Sequence, residues 1–326
     1  MLRWLGRRMD WNHEQRANGL AGFIAFAALV ILYLEAPPVP AGSGTIRINS
    51  VKSRALVLHS TAAPSSQVMA SISESPSKTT DAAAAATSPA VSALQRKVAM
   101  LQQGRKFLEN TPDYTAVFSK QELVGDQLLE LQDIYLKCRH APFSVYLRWL
   151  SGDVDREVLY VDGQNGGEMI VHGGGWKARL PSLSISPNSS LAMQESRYPV
   201  TKAGILGTLD IMLEIHAEDV AKDRLARSDQ LADEEFDGRQ CAAFLIEYRD
   251  AKLSPTYRKS ITLIDKEWNV PLYTRNFGWP NVGETATGDE LDEATLIEFY
   301  TFTEVEFRQQ LATADFDRGN EEYLFK

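Results

Sequence analysis

Ile134, Leu136 and Cys138 alternate with Tyr135, Lys137 and Arg139, and beyond His140-Ala141-Pro142 the alternation resumes. There Phe143, Val145, Leu147 and Trp149 take turns with Ser144, Tyr146 and Arg148. A period of two gives a strand one buried and one wet face. The stretch therefore predicts two long strands meeting at a corner. Pro142 has no N–H for a ladder and belongs at a strand edge or first position. The same pattern predicts strands at Tyr114–Val124, Leu128–Arg139, Arg156–Val161, Glu168–His172 and Trp176–Leu180. Further on it predicts Gln240–Tyr248, Tyr257–Ile264, Pro271–Phe277 and the long Leu296–Phe307. Asp162 to Gly167 reads as a hairpin loop, Gly173 to Gly175 and Asp265 to Asn269 as turns.

Two segments carry helical spacing instead. In residues 91–109, Leu94, Val98, Leu101 and Leu108 fall near one stripe with Phe107 at its side. A second helix opens at Pro199-Val200-Thr201, with Thr201 as its N-cap. Ile205, Leu209, Met212, Leu213 and His216 form its apolar stripe, which suits packing on a sheet. Meandering strands with one helix before them and one inserted predict an α+β fold. Its form is a strongly curved antiparallel sheet or half-open β-barrel with helices packed on the concave side.

The first ninety residues follow neither pattern. Residues 1–18 are polar and carry Arg3, Arg7, Arg8 and Arg16. Residues 19–34 are an unbroken apolar run, near the short limit of a membrane span. An uncleaved anchor is favoured over a cleaved signal, because Pro37 follows the first small-residue cleavage point. Arginines before the run and none close after it place the N-terminus in the cytoplasm and the rest outside the inner membrane. Residues 35–90 are rich in Ala, Ser, Pro and Thr and hold no aromatic residue, which predicts a disordered linker. Residues 91–326 remain as one exported domain, large enough for a single core.

Charge sharpens this division. The chain's net charge is −9, yet residues 1–34 carry +2 and residues 35–90 carry +1, leaving −12 on the domain. That balance excludes nucleic acid as a partner, since phosphate binding needs clustered cations. The two cysteines, Cys138 and Cys241, permit one disulfide in an oxidising compartment. The other reading is two buried thiols acting as small hydrophobes.

No pattern for catalysis, metal or cofactor holds. There is no G-x-S-x-G elbow, H-E-x-x-H or cysteine-pair spacing. His140, His172 and Asp162 could converge only in space, and strand-end histidines with local partners are the simpler account. Asp315 and Asp317 form a lone D-x-D, which by default is a solvated loop. The outward Lys137, Arg139, Tyr146 and Arg148 read either as cross-strand partners of carboxylates or as a patch for an envelope protein partner.

Several stretches in order resemble the bacterial family known as domain of unknown function 1571. They are Lys137 to Tyr146, Arg156 to Val161, Ser196-Arg197-Tyr198-Pro199-Val200-Thr201 running on to Ile205, and Ala314-Asp315-Phe316-Asp317 with Asn320 and Tyr323. The strand-turn-strand around Asp265 to Pro271 is in turn similar to that of LolA- and LolB-type lipoprotein carriers. That likeness implies a helix-lidded, half-open barrel with an apolar cavity for lipid or lipoprotein acyl chains. On this reading Phe143, Val145, Leu147, Ile205, Leu209, Met212 and Leu213 would touch the ligand, and no catalytic residue is expected. The alternative is a non-catalytic interaction module with a fully packed core.

Overall fold

The computed structural model describes residues 89–325, Val282 and Glu284 excepted. The apolar run 19–34 and the linker 35–88 lie outside the described residues. Within them no helix is long and apolar enough to cross a membrane.

The chain opens with α1 (Pro89–Glu109) and enters a meander of β1 (Asp113–Val124), β2 (Gln127–Leu128), β3 (Gln132–His140), β4 (Phe143–Trp149), β5 (Glu157–Val161), β6 (Met169–His172) and β7 (Leu183–Ile185). A helical turn, α2 (Ser190–Met193), precedes the long helix α3 (Gly204–Lys222). The second half runs β8 (Leu225–Gln230), β9 (Glu234–Phe236), β10 (Arg239–Tyr248), β11 (Lys259–Asp265), β12 (Pro271–Phe277), the short α4 (Gly288–Ala294) and β13 (Leu296–Phe307). The strand order is β7-β6-β5-β4-β3-β1-β13-β12-β11-β10-β8, with β2 added on β1 and β9 on β10. The pairings are antiparallel and the sheet is open, ending at β7 and β8. This is the expected α+β fold in its curved-sheet form. Its middle is the pairing of the first strand with the last, β1 with β13.

The alternation seen in the sequence sets the two faces. Ile134 on β3 pairs with Phe118 and Trp149, and Leu136 with Ala116 and Leu147, so these six share the inner face. Both long helices lie there. Leu94 of α1 packs with Ile246 and Tyr248 of β10, while α3 packs against α1 and β12. Gly104 of α1 is where the second contact is made: a Cβ there would stand 2.0 Å from the Asn269 carbonyl oxygen and 3.3 Å from Leu209 Cδ1. A larger residue would hold the helix off the sheet.

The outer face over β3 to β6 has a cover of its own, the last residues of the chain. Phe316 and Tyr323 are buried on Tyr146, Leu159, Val161 and Ile170. The Tyr323 ring stacks on that of Tyr146 with centroids 3.9 Å apart. Lys137 pairs with Asp315 at 2.8 Å, and the Arg139 guanidinium lies over the Phe316 ring. Beneath this strap Glu157 is fully buried, accepting from Tyr146 O–H and Leu324 N–H. The basic and aromatic residues expected to face cross-strand carboxylates or a partner are thus claimed by the chain's own C-terminus. Arg148, outside the strap, pairs locally with Asp155.

Two expectations are corrected, and the choice left open at the cysteines is decided. Trp176–Leu180 is not a strand; Gly175–Arg179 is a 3-10 turn, and β7 pairs with β6 in its place. Five residues of alternation lack the length to separate a strand from a turn. Thr201 does not cap the inserted helix, because Val200–Lys202 forms a 3-10 turn and α3 starts at Gly204. The hydroxyl of Tyr114 on β1 accepts from Ile205 N–H at 2.8 Å, capping the helix from across the fold. Gly204 sits at φ +87°, and a Cβ there would meet that hydroxyl at 2.4 Å. Finally, Cys138 and Cys241 are both buried and unbridged, on β3 and β10 with four strands between them in the sheet. Burial pushes both thiols up to about 12, so they are inert small hydrophobes.

Between α1, α3 and the sheet lies a buried charge cluster. Lys97 is 1% exposed and donates to Thr262 Oγ1 at 3.0 Å. Nearby, Asp219 accepts from Arg224, from Tyr248 O–H and from His216 Nδ1. Burial holds Lys97 down to about 7, against the pull of Asp219, and holds His216 down to about 4. Between pH 7 and 9 the unfolded chain keeps a proton on Lys97 that the folded chain has released. Stability therefore rises with pH across that window, by up to about 1.4 kcal/mol per unit. Above the ordinary thiol value of 9.0 the raised cysteines act the other way. Urea unfolding at pH 7, 8 and 9 tests this: Lys97→Met should flatten the rise, and a rise that persists unchanged refutes the assignment.

Candidate functional site

Between the inner face and α3 is a cavity of about 380 Å³. The amphipathic helix leaves it open by dividing its apolar arc. Ile205 and Leu209 are fully buried, with Leu209 on the α1 contact. Thr208, Ile211, Met212 and Ile215, offset to one side of Leu209 by about 60° to 160° round the helix, line the void. Opposite them stand Phe118, Ile134, Leu147, Trp149, Val158 and Met169 from β1, β3, β4, β5 and β6. Volume and lining fall within the range of small-molecule sites, near its lower end.

Of the residues expected to touch a ligand, Leu147 and Met212 lie in this wall. Val145, Ile205 and Leu209 are fully buried in packed core, Phe143 is half-buried beside Tyr160, and Leu213 is half-buried. None of those five lines the cavity. A stripe at three- and four-residue spacing spans a wide arc, and the spacing does not say which edge meets protein and which meets space.

The part of the wall that hydrophobic patterning misses is polar. Glu122 and Glu298 are 3% and 2% exposed and lie directly opposite each other on β1 and β13. Like charges in that position repel, and donors surround them. Glu122 accepts from Lys120 Nζ at 3.0 Å, from Tyr300 O–H and from Arg197 N–H. Glu298 accepts from Arg197 Nε at 2.9 Å, from Asn276 Nδ2 at 2.6 Å, and from Tyr257 and Tyr198 hydroxyls. The signal was present in the sequence: Lys120 and Glu122 stand in phase with Tyr114, Ala116 and Phe118, and so point inward.

The cavity also has an apolar border. Leu128, Leu131, Leu150, Val154 and Trp176 are exposed, and each adjoins a lining residue in sequence. They are five of the seven large apolar side chains exposed among the described residues. Backbone bonds connect their loops: Leu150 N–H donates to Asp133, and Gly175 N–H to Val154.

The other candidate chemistry has local explanations. His140 Nδ1 bonds the Thr111 carbonyl oxygen, His172 lies by Ser182, and Asp162 accepts from Tyr160 O–H. Asp315 is held by Lys137, and Asp317 accepts from Gly319 N–H within its own loop. Among the described residues no three His, Cys, Asp or Glu side chains are grouped to hold a metal.

The described domain is thus a large open antiparallel sheet curved around a helix, with a cavity between them. The chain belongs to the family of proteins of unknown function DUF1571, whose model matches residues 111–325. No curated protein matches the sequence significantly. Similar solved structures include the Pseudomonas aeruginosa MucA/MucB complex, at 13% identity and TM-score 0.40, covering 68% of this chain and 60% of that one. The match thus spans less than two thirds of that chain. The Mycobacterium tuberculosis lipoprotein LppX is similar at 9% identity and TM-score 0.38, over 67% of this chain and 98% of its own. A LolA superfamily protein from Nitrosomonas europaea has 9% identity and TM-score 0.28, over 67% and 96%. Such levels assign neither ligand nor partner.

Proposed function

We propose that this is a membrane-tethered envelope protein whose exported domain holds a lipid, or a lipoprotein acyl chain, between the sheet and α3. The cavity carries this reading: a packed core has no reason to leave about 380 Å³ empty behind six apolar strand residues and Met212. The exposed apolar border supports it, because a ligand leaving a lipid surface crosses such an edge without meeting bulk water. The apolar run at 19–34, with arginines ahead of it, supports a tether in the inner membrane, and residues 35–90 a flexible linker. An interaction module working through the outer face is less well supported, since the strap occupies Lys137, Arg139 and Tyr146.

Two measurements test the reading. An environment-sensitive apolar dye should bind the full chain, and Met212→Gln should weaken it about tenfold, the cost of setting an amide against an apolar ligand. Absence of saturable dye binding by the wild type sinks it. For the tether, a reporter fused after Lys326 that works only in the cytoplasm would refute export.

A further inference from the structure

The polar side of the cavity wall is a regular grid. On β1, β13 and β12, Lys120 pairs with Tyr300 and Tyr300 with Thr274, while Glu122 pairs with Glu298 and Glu298 with Asn276. These two parallel rungs put six polar side chains side by side on the inner face. All six line the cavity, and each is at most 9% exposed. Strand packing gives no reason for them. Apolar residues of similar size would stabilise such a wall at least as well as buried, paired ions.

Three properties of the grid describe what lies against it. Lys120 and Arg197 match Glu122 and Glu298, so it is formally neutral and has no unmatched charge to offer. The Asn276 amide is oriented by its Nδ2 bond to Glu298, which leaves its buried carbonyl oxygen without a partner. Lys120 spends two of its three N–H donors, on Glu122 and on the Glu195 carbonyl oxygen. The grid therefore has the Asn276 oxygen, one Lys120 N–H and the Thr274 hydroxyl to spare. A charged group set there would lose its hydration with no counter-charge in return. Over β3 to β6 the wall is largely aliphatic and aromatic, and the remaining charged lining residues, Asp153, Arg156, Lys177, Glu195 and Lys202, stand off the grid in the loops, with Arg156 paired to Glu195 and Lys202 to Glu214.

We propose that the ligand is a small amphiphile with an apolar chain and an uncharged, hydroxyl- or amide-bearing head, the head resting on the grid and the chain lying over β3 to β6. This rests on the reading of the cavity as a ligand site and adds the chemistry of the head. The test uses the full chain in lipid nanodiscs, with empty nanodiscs correcting for partitioning. A bound apolar dye is displaced by an alkyl glucoside, an alkyl phosphate or an alkyltrimethylammonium of equal chain length, each below its micellar concentration. The glucoside should displace at about tenfold lower concentration than either ion. Asn276→Leu should erase that preference, each displacement being measured against the variant's own affinity for the dye. Thr274→Val, nearly isosteric and away from the carboxylates, should reduce it should the first variant not fold. Equal displacement by all three, or preference for either ion, overturns the proposal and leaves the cavity reading standing. No dye binding at all removes both.

Discussion

Leu209→Ala should lower the free energy of unfolding by about 2–5 kcal/mol, the range for large-to-small changes in packed cores. Leu209 is fully buried, and its Cδ1 lies close to α1 at Gly104, where a Cβ would stand 3.3 Å from it. At Gly104, α1 is already against the Asn269 carbonyl oxygen, which limits how far it can shift to fill the space. The cavity side of the same helix should respond differently. Met212 borders empty volume, so Met212→Ala removes fewer contacts and should cost less than about 1.5 kcal/mol. Urea unfolding of both variants checks the contrast. Equal losses would mean that the helix has no packed and open sides.

Tyr323→Ala should cost about 3–5 kcal/mol, a core-sized effect from a residue three places before Lys326. Its ring stacks on Tyr146, Lys137 lies 5.4 Å over it, and its hydroxyl donates to the Asp315 carbonyl oxygen at 2.6 Å. Without it the strap loses its clamp and uncovers Leu159, Val161 and Ile170. Tyr323→Phe keeps the stack and loses one hydrogen bond, about 1 kcal/mol. Amide exchange should locate the change: β4 to β6 should lose protection in Tyr323→Ala and keep it in Tyr323→Phe. Unaltered exchange in both would show that the strap is not part of the fold.

Much of the architecture was legible because alternation is a direct record of burial. Ile134, Leu136 and Cys138 lie inward as their spacing requires, and the corner at Pro142 joins β3 to β4. Edge strand β8 was not legible, since Leu225-Ala226-Arg227-Ser228-Asp229-Gln230 carries the charges that protect an edge. The helix start was misplaced because its cap comes from Tyr114, distant in sequence. The cavity was half legible: Leu147 and Met212 follow from apolar spacing. Lys120, Glu122, Asn276 and Glu298 do not, because a hydrophobic pattern registers a buried polar residue as a gap. The strap escaped for the same reason in reverse, as Phe316 and Tyr323 are single anchors with no period around them.

Placing β1 beside β13 has a further consequence, for the order in which the molecule is made. The centre of the sheet joins the first strand synthesised to the last, and the strap that seals the outer face follows later still. Until β13 emerges, β1 and β12 are bare edges on two separate half-sheets, each a template for a wrong partner. Contacts so distant along the chain form slowly. The domain therefore completes its fold only after β13 and the strap have both been made. The same delay makes any truncation before residue 296 a source of aggregates rather than of a smaller domain.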